Sequence, residues 1–298
     1  MTCVRALLMI RPAAFGFNPQ TAASNAFQNE LTGDTAQQAR DEFDGFVAEI
    51  KKHGIPVLVI DDQAVPAKPD AVFPNNWFST HDNRTIVLYP MLAPNRRPER
   101  RNDVVEMLKS EFGYRTVQDL TRFELEGKFL EGTGSLVFDH AQKIVYAAIS
   151  ERTDRDVLLE LCELLGYLPL VFSTAGKNGK PVYHTNVVMA LNDTIAVVCL
   201  DCIVPAKDRR AVERMLAISG KKILPISLSQ LEAFAGNMLF VTNENGERYV
   251  LLSQTAWNSL DPSQKILLEA SARPIVANIP LIESAGGGSA RCMITELF

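Results

Sequence analysis

Four hairpin signatures recur along this chain at nearly constant spacing, and that regularity limits its fold more than any single residue does. Each signature is a pair of apolar, β-rich runs around a turn of Asp, Asn, Gly or His: WFSTHDNRTIVLY, SLVFDHAQKIVYAA, VVMALNDTIAVVCL and MLFVTNENGERYVLL. The turns centre on Asp82, Asp139, Asn192 and Asn245, at intervals of 57, 53 and 53 residues. Repetition at such a period marks an architecture assembled from one supersecondary unit.

Each hairpin is followed by a segment with apolar residues at three- and four-residue steps, the period of a helix packed on one side. These segments are RRNDVVEMLKSEFG, TDRDVLLELCELLG, DRRAVERMLAISG and DPSQKILLEASA, and three of them stop at Gly113, Gly166 and Gly220. Asn or Asp near their starts reads as an N-cap. An earlier helical stretch, TAQQARDEFDGFVAEIKKHG, runs into Gly54 and the strand IPVLVI. The unit is therefore β-β-α-β, and five units account for most of the chain's 298 residues. Four hairpins are internal, so the fifth is expected to join the two ends, VRALLMI and ARCMITELF. Closure of that kind leaves no open sheet edge. The expected fold is a mixed α/β ring of five ββαβ blades, one domain over residues 1–298. The competing arrangement is a two-layer α+β fold with coincidental spacing.

Composition removes several classes of function. The net charge of -5 comes from 30 basic and 35 acidic residues mixed along the chain. The nearest approach to a basic block, NRRPERR, is short and interrupted, so no nucleic-acid partner is expected. The apolar N-terminal stretch contains Arg5 and is short, which reads as a first strand and not as a signal peptide or membrane span. Cys3, Cys162, Cys199, Cys202 and Cys292 make an odd count without a secretory leader, so free thiols in a reducing cytoplasm are expected. Cys199 and Cys202 have metal-like spacing but no second Cys or His pair near them in sequence. They read as two small apolar thiols at a strand end. No metal site, dinucleotide fingerprint or phosphate loop is present in the sequence, so no cofactor is expected. Nothing in the sequence specifies an oligomeric state.

Three short motifs carry candidate chemistry. In ESAGGGSARCM, three glycines let the backbone approach a ligand closely, and Cys292 follows with Arg291 as a cation able to favour its thiolate. A lone cysteine is usually a buried apolar side chain, so the context decides. In YHTNVVM, His184 leads into an apolar strand and is the best acid/base candidate. His53 at a helix end and His140 in a hairpin turn read as solvated, and His81 lies at another turn. In FLEGTGSLVFD, Glu131 enters a Gly-rich turn, where a carboxylate can orient a histidine.

Taken together these motifs resemble the pentein superfamily, which includes arginine deiminase and dimethylarginine dimethylaminohydrolase. The resemblance covers the whole chain and implies Cys292 as nucleophile, His184 as acid/base and Glu131 as its carboxylate partner. The segment KPDAVFPNNWF resembles the family's substrate-gripping loop, with Asp70 at its first acid and Asn75 and Asn76 where an acidic pair stands. A second departure is Asn186, two residues after the histidine, where deiminases carry a carboxylate. A guanidinium carries positive charge and five donors and calls for carboxylates, whereas amides suit a neutral ureido group. With FPNNW, HTNVVM and GGGSARCM together, the chain most resembles the citrulline-utilisation hydrolases. That resemblance implies hydrolysis of citrulline to ornithine, carbon dioxide and ammonia through a covalent cysteine intermediate. Arg96 or Arg97 is then the candidate for the substrate carboxylate. The alternatives are a guanidino hydrolase or amidinotransferase on the same fold, and a non-catalytic pentein binding module. The expected partner is a small ureido or guanidino amino acid, with no nucleic acid and no membrane.

Overall fold

The computed structural model describes residues 4–31, 33 and 35–298, so Cys3 lies outside the described residues. The strands fall into five three-stranded sheets. In chain order they are β1 (Ala6–Arg11), β2 (Val57–Asp61), β3 (Phe78–Thr80), β4 (Thr85–Leu88), β5 (Thr116–Asp119), β6 (Val137–Asp139), β7 (Ile144–Ile149) and β8 (Leu168–Ser173). They continue as β9 (Met189–Leu191), β10 (Ile195–Val198), β11 (Lys222–Pro225), β12 (Leu239–Thr242), β13 (Arg248–Ser253), β14 (Arg273–Ala277) and β15 (Thr295–Leu297). Within four sheets the first two strands form an antiparallel hairpin and the third pairs in parallel with the second.

The fifth sheet joins the two ends of the chain. β1 pairs antiparallel with β15, in the register Ala6 with Leu297 and Leu8 with Thr295, and parallel with β2. Side chains from the next sheet hold the C-terminal strand in place. Tyr114 Oη and Arg84 Nη1 both donate to the Phe298 carbonyl, at 2.9 and 3.2 Å, and Thr80 Oγ1 donates to that of Glu296. This anchoring matters because Cys292 lies three residues before β15.

A parallel pair needs a long crossover, and a helix supplies each one. These are α1 (Thr35–Lys52), α2 (Asn102–Phe112), α3 (Arg155–Leu165), α4 (Ala206–Ile218) and α5 (Pro262–Glu269). In α1 the buried positions Ala39, Phe43, Phe46, Val47 and Ile50 repeat at three and four residues, and this stripe packs with Leu251, Ile275 and Ala277. Full burial of a residue such as Phe43 contributes about 1.5–3 kcal/mol. Asp154 caps α3 by accepting from Asp156 N and Val157 N, and Asp261 forms a capping box with Gln264. The expected Asn or Asp cap of α2 is not made, since Arg101 occupies that position without a side-chain cap. Gly113 and Gly166 end their helices in the left-handed conformation.

Among the described residues no helix is long and apolar enough to cross a membrane. Cys162, Cys199, Cys202 and Cys292 are free and buried. Cys202 donates its thiol proton to the Cys199 carbonyl inside a 3-10 turn, and no described group of His, Cys, Asp and Glu could hold a metal ion.

Candidate active site

Before the first strand of several units the chain makes a single helical turn, and these turns carry the candidate residues. Glu131 precedes the turn Gly132–Ser135 that leads to β6, and His184 precedes Thr185–Val188 that leads to β9. His184 is therefore not immediately before a strand as the sequence suggests. The intervening turn also brings Asn186 round to face the sulfur. Cys292 lies within the 3-10 turn Ala290–Met293 before β15. Asn75 and Asn76 lie in the turn Pro74–Asn76 before β3.

Glu131, His184 and Cys292 are all buried. Glu131 Oε2 accepts from His184 Nε2 at 3.0 Å and from Arg152 Nη1 at 3.3 Å, while Oε1 accepts from the Leu92 amide at 3.1 Å. With Nε2 facing a carboxylate, the proton sits there and Nδ1 is the nitrogen able to accept another. Burial opposes ionisation of Glu131, but Arg152, His184 and Arg96 outweigh it and hold the carboxyl well below the usual carboxylate range. Burial pushes His184 down to about 4; Glu131 opposes the shift, while Arg152 and Arg96 add to it. The imidazole is thus neutral near pH 7. Burial also pushes the Cys292 thiol up, against hydrogen bonds from Ser289, Asn237 and Asn186.

The contacts of the sulfur are amides. Asn186 Nδ2 lies 3.5 Å from Cys292 Sγ and Asn237 Nδ2 lies 3.3 Å from it. The cation that the sequence places beside the thiol is committed elsewhere: Arg291 donates to the Ile294 carbonyl at 2.8 Å and to Glu296 at 2.8 Å.

His184 and Cys292 line one small pocket together with Asp70, Asn76, Arg96, Arg152 and Gly288. Its free volume of about 10 Å³ is on the scale of one water. The strap over it is the segment 18–29. Asn25 Nδ2 donates to the Gly287 carbonyl at 3.0 Å and Gln28 Nε2 to that of Gly286 at 2.9 Å. Thr21 Oγ1 and Asn18 Nδ2 both donate to Asp70 Oδ2, and Asp70 Oδ1 has no hydrogen-bond partner. Outside the strap lies a larger cleft of about 1020 Å³ that shares Arg152 and Tyr183 with the small pocket.

Gly134 shows how tightly the turns converge. A Cβ on it would lie 2.6 Å from both Asn76 Nδ2 and His184 Cε1, so no side chain fits. Gly132 combines a φ of +47° with a Cβ position 2.1 Å from the Asn75 carbonyl oxygen.

The remaining candidates divide. Asn76 lines the cavity; Asn75 stands behind it, its Oδ1 accepting from Asn76 Nδ2 at 3.1 Å. Arg96 lines the cavity but is also a buried hub, bonded to both oxygens of Glu99 and donating to Asn76 Oδ1 at 2.8 Å. Arg97 does not reach the cavity: it is half-buried, donates to the Met91 carbonyl and pairs with Glu124. His140, expected to be solvated, is mostly enclosed, stacking on Phe138 and bonding Tyr167 Oη at 2.8 Å. His81 is buried against Ser79 Oγ, 2.8 Å away. Asn237 and Arg152 are the functional candidates that motif reading passes over.

A protein-family model described as N,N-dimethylarginine dimethylhydrolase, eukaryotic, matches residues 11–298. The chain belongs to this family. It is therefore a pentein, of the superfamily of guanidino-group hydrolases and amidinotransferases. Comparison with curated proteins finds no match. Among solved structures, this pentein is similar to the product-bound N-terminal domain of ArgZ, an arginine dihydrolase of the ornithine-ammonia cycle in cyanobacteria. That match has a TM-score of 0.76 at 17% identity and covers 100% of this chain and 98% of that one. Against apo ArgZ the TM-score is 0.75 at 17% identity, and 98% of this pentein spans 40% of that chain. A dimethylarginine dimethylaminohydrolase variant with an S-methyl-L-thiocitrulline adduct gives a TM-score of 0.65 at 12% identity, covering 99% of this chain and 100% of that one. These identities carry the fold alone.

Proposed function

We propose that this pentein is a cysteine-dependent hydrolase of a C–N bond in a ureido amino acid, with citrulline as substrate. Residues 1–298 form one catalytic domain, and the five sheets form a five-bladed α/β propeller closed by the pairing of the chain ends. The observation that carries the reading is the set of amides at the reacting sulfur, Asn186 and Asn237 on Sγ with Asn76 on the same cavity. A neutral ureido group has an oxygen to accept from amide N–H and N–H groups to donate to amide oxygen.

In this mechanism neutral His184 takes the thiol proton through Nδ1 as Cys292 Sγ attacks the ureido carbon. Asn186 and Asn76 hold the ureido oxygen as charge develops on it. The bond from carbon to the δ-nitrogen breaks, His184 returns the proton to that nitrogen, and ornithine leaves an S-carbamoyl cysteine. His184 then deprotonates a water that attacks the carbamoyl carbon. The C–S bond breaks and the released carbamate separates into carbon dioxide and ammonia, so one water is consumed in all. Glu131 keeps His184 in the required tautomer. The free Oδ1 of Asp70 matches the substrate ammonium, and the Arg96 and Arg152 wall takes its carboxylate. The proposed partner is thus a small amino acid. Four free buried thiols accord with the proposed cytoplasmic location.

A guanidino hydrolase is the second reading, favoured by that same unpartnered carboxylate oxygen in the cavity. A panel of citrulline, arginine and dimethylarginine, scored by ammonia or methylamine release with ornithine and citrulline quantified, separates the two. Ornithine and ammonia from citrulline support the first. Release from arginine or dimethylarginine alone overturns it. Cys292→Ser should lower turnover by at least about 1,000-fold while the fold survives, checked by thermal melting.

A further inference from the structure

Asn237 sits immediately before the fourth hairpin, and its side chain is fixed at both ends. Its Oδ1 accepts from the Arg291 amide at 3.0 Å, which a backbone N–H can only donate. That bond settles which end of the side-chain amide is nitrogen. Nδ2 then donates to the Asn186 carbonyl at 3.1 Å and points at Cys292 Sγ, 3.3 Å away. Asn237 is fully buried, so no water competes for these bonds.

Position supports the same conclusion. Glu131, His184 and Asn237 each stand eight residues before their hairpin turns at Asp139, Asn192 and Asn245. The first two bring their side chains together at the cavity, and the third repeats their placement one unit further on.

We infer that Asn237 is a catalytic residue, the permanent hydrogen-bond donor that stabilises the Cys292 thiolate and fixes the direction of the sulfur. A thiolate accepts hydrogen bonds far more strongly than a thiol, so a fixed donor favours ionisation. Asn186 cannot serve this role throughout, because the mechanism proposed above turns it toward the substrate. Asn237 is tied to two backbone groups and stays. Only this division of labour rests on the proposed reaction; the donor geometry does not.

The test is the pH dependence of Cys292 alkylation by iodoacetamide, followed by mass spectrometry of its peptide, in the full chain and in Asn237→Asp. Aspartate keeps the acceptor for the Arg291 amide and removes the donor, but its charge by itself repels the thiolate. Asn237→Ala, which removes the donor without adding charge, is therefore titrated beside it, and its midpoint decides. His184, Arg152, Arg96 and Asp70 across the cavity, Tyr183 at its rim and Arg291 beside the sulfur are unchanged, so the difference between the titrations isolates residue 237. The alkylation midpoint should rise by about one to two pH units in Asn237→Ala, with kcat/KM down by about 10- to 100-fold. An unmoved midpoint in Asn237→Ala with the wild-type circular dichroism spectrum overturns the assignment. A measurement on the unaltered protein covers the case in which the variant does not fold. The side-chain amide resonances of Asn237 should shift with the same midpoint as Cys292 ionisation, and resonances that ignore it overturn the assignment too. Neither readout needs a substrate. A protein inactive on every ureido and guanidino compound, yet with a raised midpoint in Asn237→Ala, would sink the functional reading and leave Asn237 standing.

Discussion

Nε2 of His184 lies 3.0 Å from Oε2 of Glu131, and the two residues are 53 positions apart, the interval that separates the hairpin turns at Asp139 and Asn192. The repeat that builds the sheets therefore also builds the carboxylate–imidazole pair. Consecutive units deliver a carboxylate and an imidazole from the same local position to a shared centre. The entry turns that carry Glu131, His184 and Cys292 bring these side chains to one region, and the strap 18–29 covers it.

The Glu131 carboxylate offsets two buried guanidiniums, so its loss has two effects. Glu131→Gln should lower kcat/KM by about 100- to 10,000-fold through misplacement of His184. It should also destabilise the fold by about 3–5 kcal/mol, since Arg152 loses its buried counter-charge. The folded-state value of Glu131 is depressed from 4.5, so its stabilisation is complete above that pH and is lost as pH falls toward the folded value. Urea denaturation between pH 7 and pH 3 checks this: wild-type stability should fall below about pH 4.5 more steeply than that of the variant.

His184 is pushed down to about 4 by burial, below an unfolded value of 6.5. The folded state then binds fewer protons than the unfolded state between these two values. Stability contributed by the neutral ring is full above pH 6.5 and declines as pH drops toward about 4, below which no further loss occurs. In NMR the His184 ring resonances should stay constant from pH 8 to about 5.5. A midpoint near 6.5 in the folded protein would refute the neutral resting imidazole.

The regular part of this molecule was readable because β-β-α-β units impose a period on the sequence, and the terminal strands complete the one unit whose hairpin is not internal. Glu131, His184 and Cys292 were legible as candidates because each stands beside glycines or just ahead of a β-rich hairpin run. Asn237 was not, since GNM reads as an ordinary turn, although adding 53 to 184 reaches it. The strap from Asn18 to Asn29 left no trace either. Its bonds join residues as far apart as Asn25 and Gly287, and partners 262 positions apart share no local pattern. Arg97 is offered beside Arg96 by the family resemblance alone, which does not show that Glu124 absorbs its charge.

Gly134 tests how closely the site depends on the packing of its turns. In Gly134→Ala the new methyl would stand 2.6 Å from Asn76 Nδ2 and from His184 Cε1, so both side chains must move. A displacement near 1 Å at reacting groups costs about 100-fold in rate, and kcat/KM should fall by that order with the circular dichroism spectrum retained. Gly132→Ala should instead fail on stability, because its positive φ and the 2.1 Å approach to the Asn75 carbonyl involve backbone that cannot give way. Thermal melts of the two variants compared with their rates separate these outcomes.

Asn186 is where the choice between a neutral and a charged substrate should be reversible. Its Nδ2 lies 3.5 Å from Cys292 Sγ, so a carboxylate in its place would face whatever carbon the sulfur attacks. In Asn186→Asp that carboxylate gives a guanidinium a charge-assisted partner and removes a donor from the ureido oxygen. It also repels the thiolate and raises the thiol further, so turnover of citrulline should drop outright. The ratio of kcat/KM for arginine to that for citrulline should rise by at least about tenfold, equivalent to about 1.4 kcal/mol of preference. Ammonia release from both compounds, measured side by side in variant and wild type, reads that ratio directly. If the ratio stays put or falls while Asn186→Asp remains folded, the amides around the sulfur do not select the substrate. Specificity would then have to be sought at Asp70.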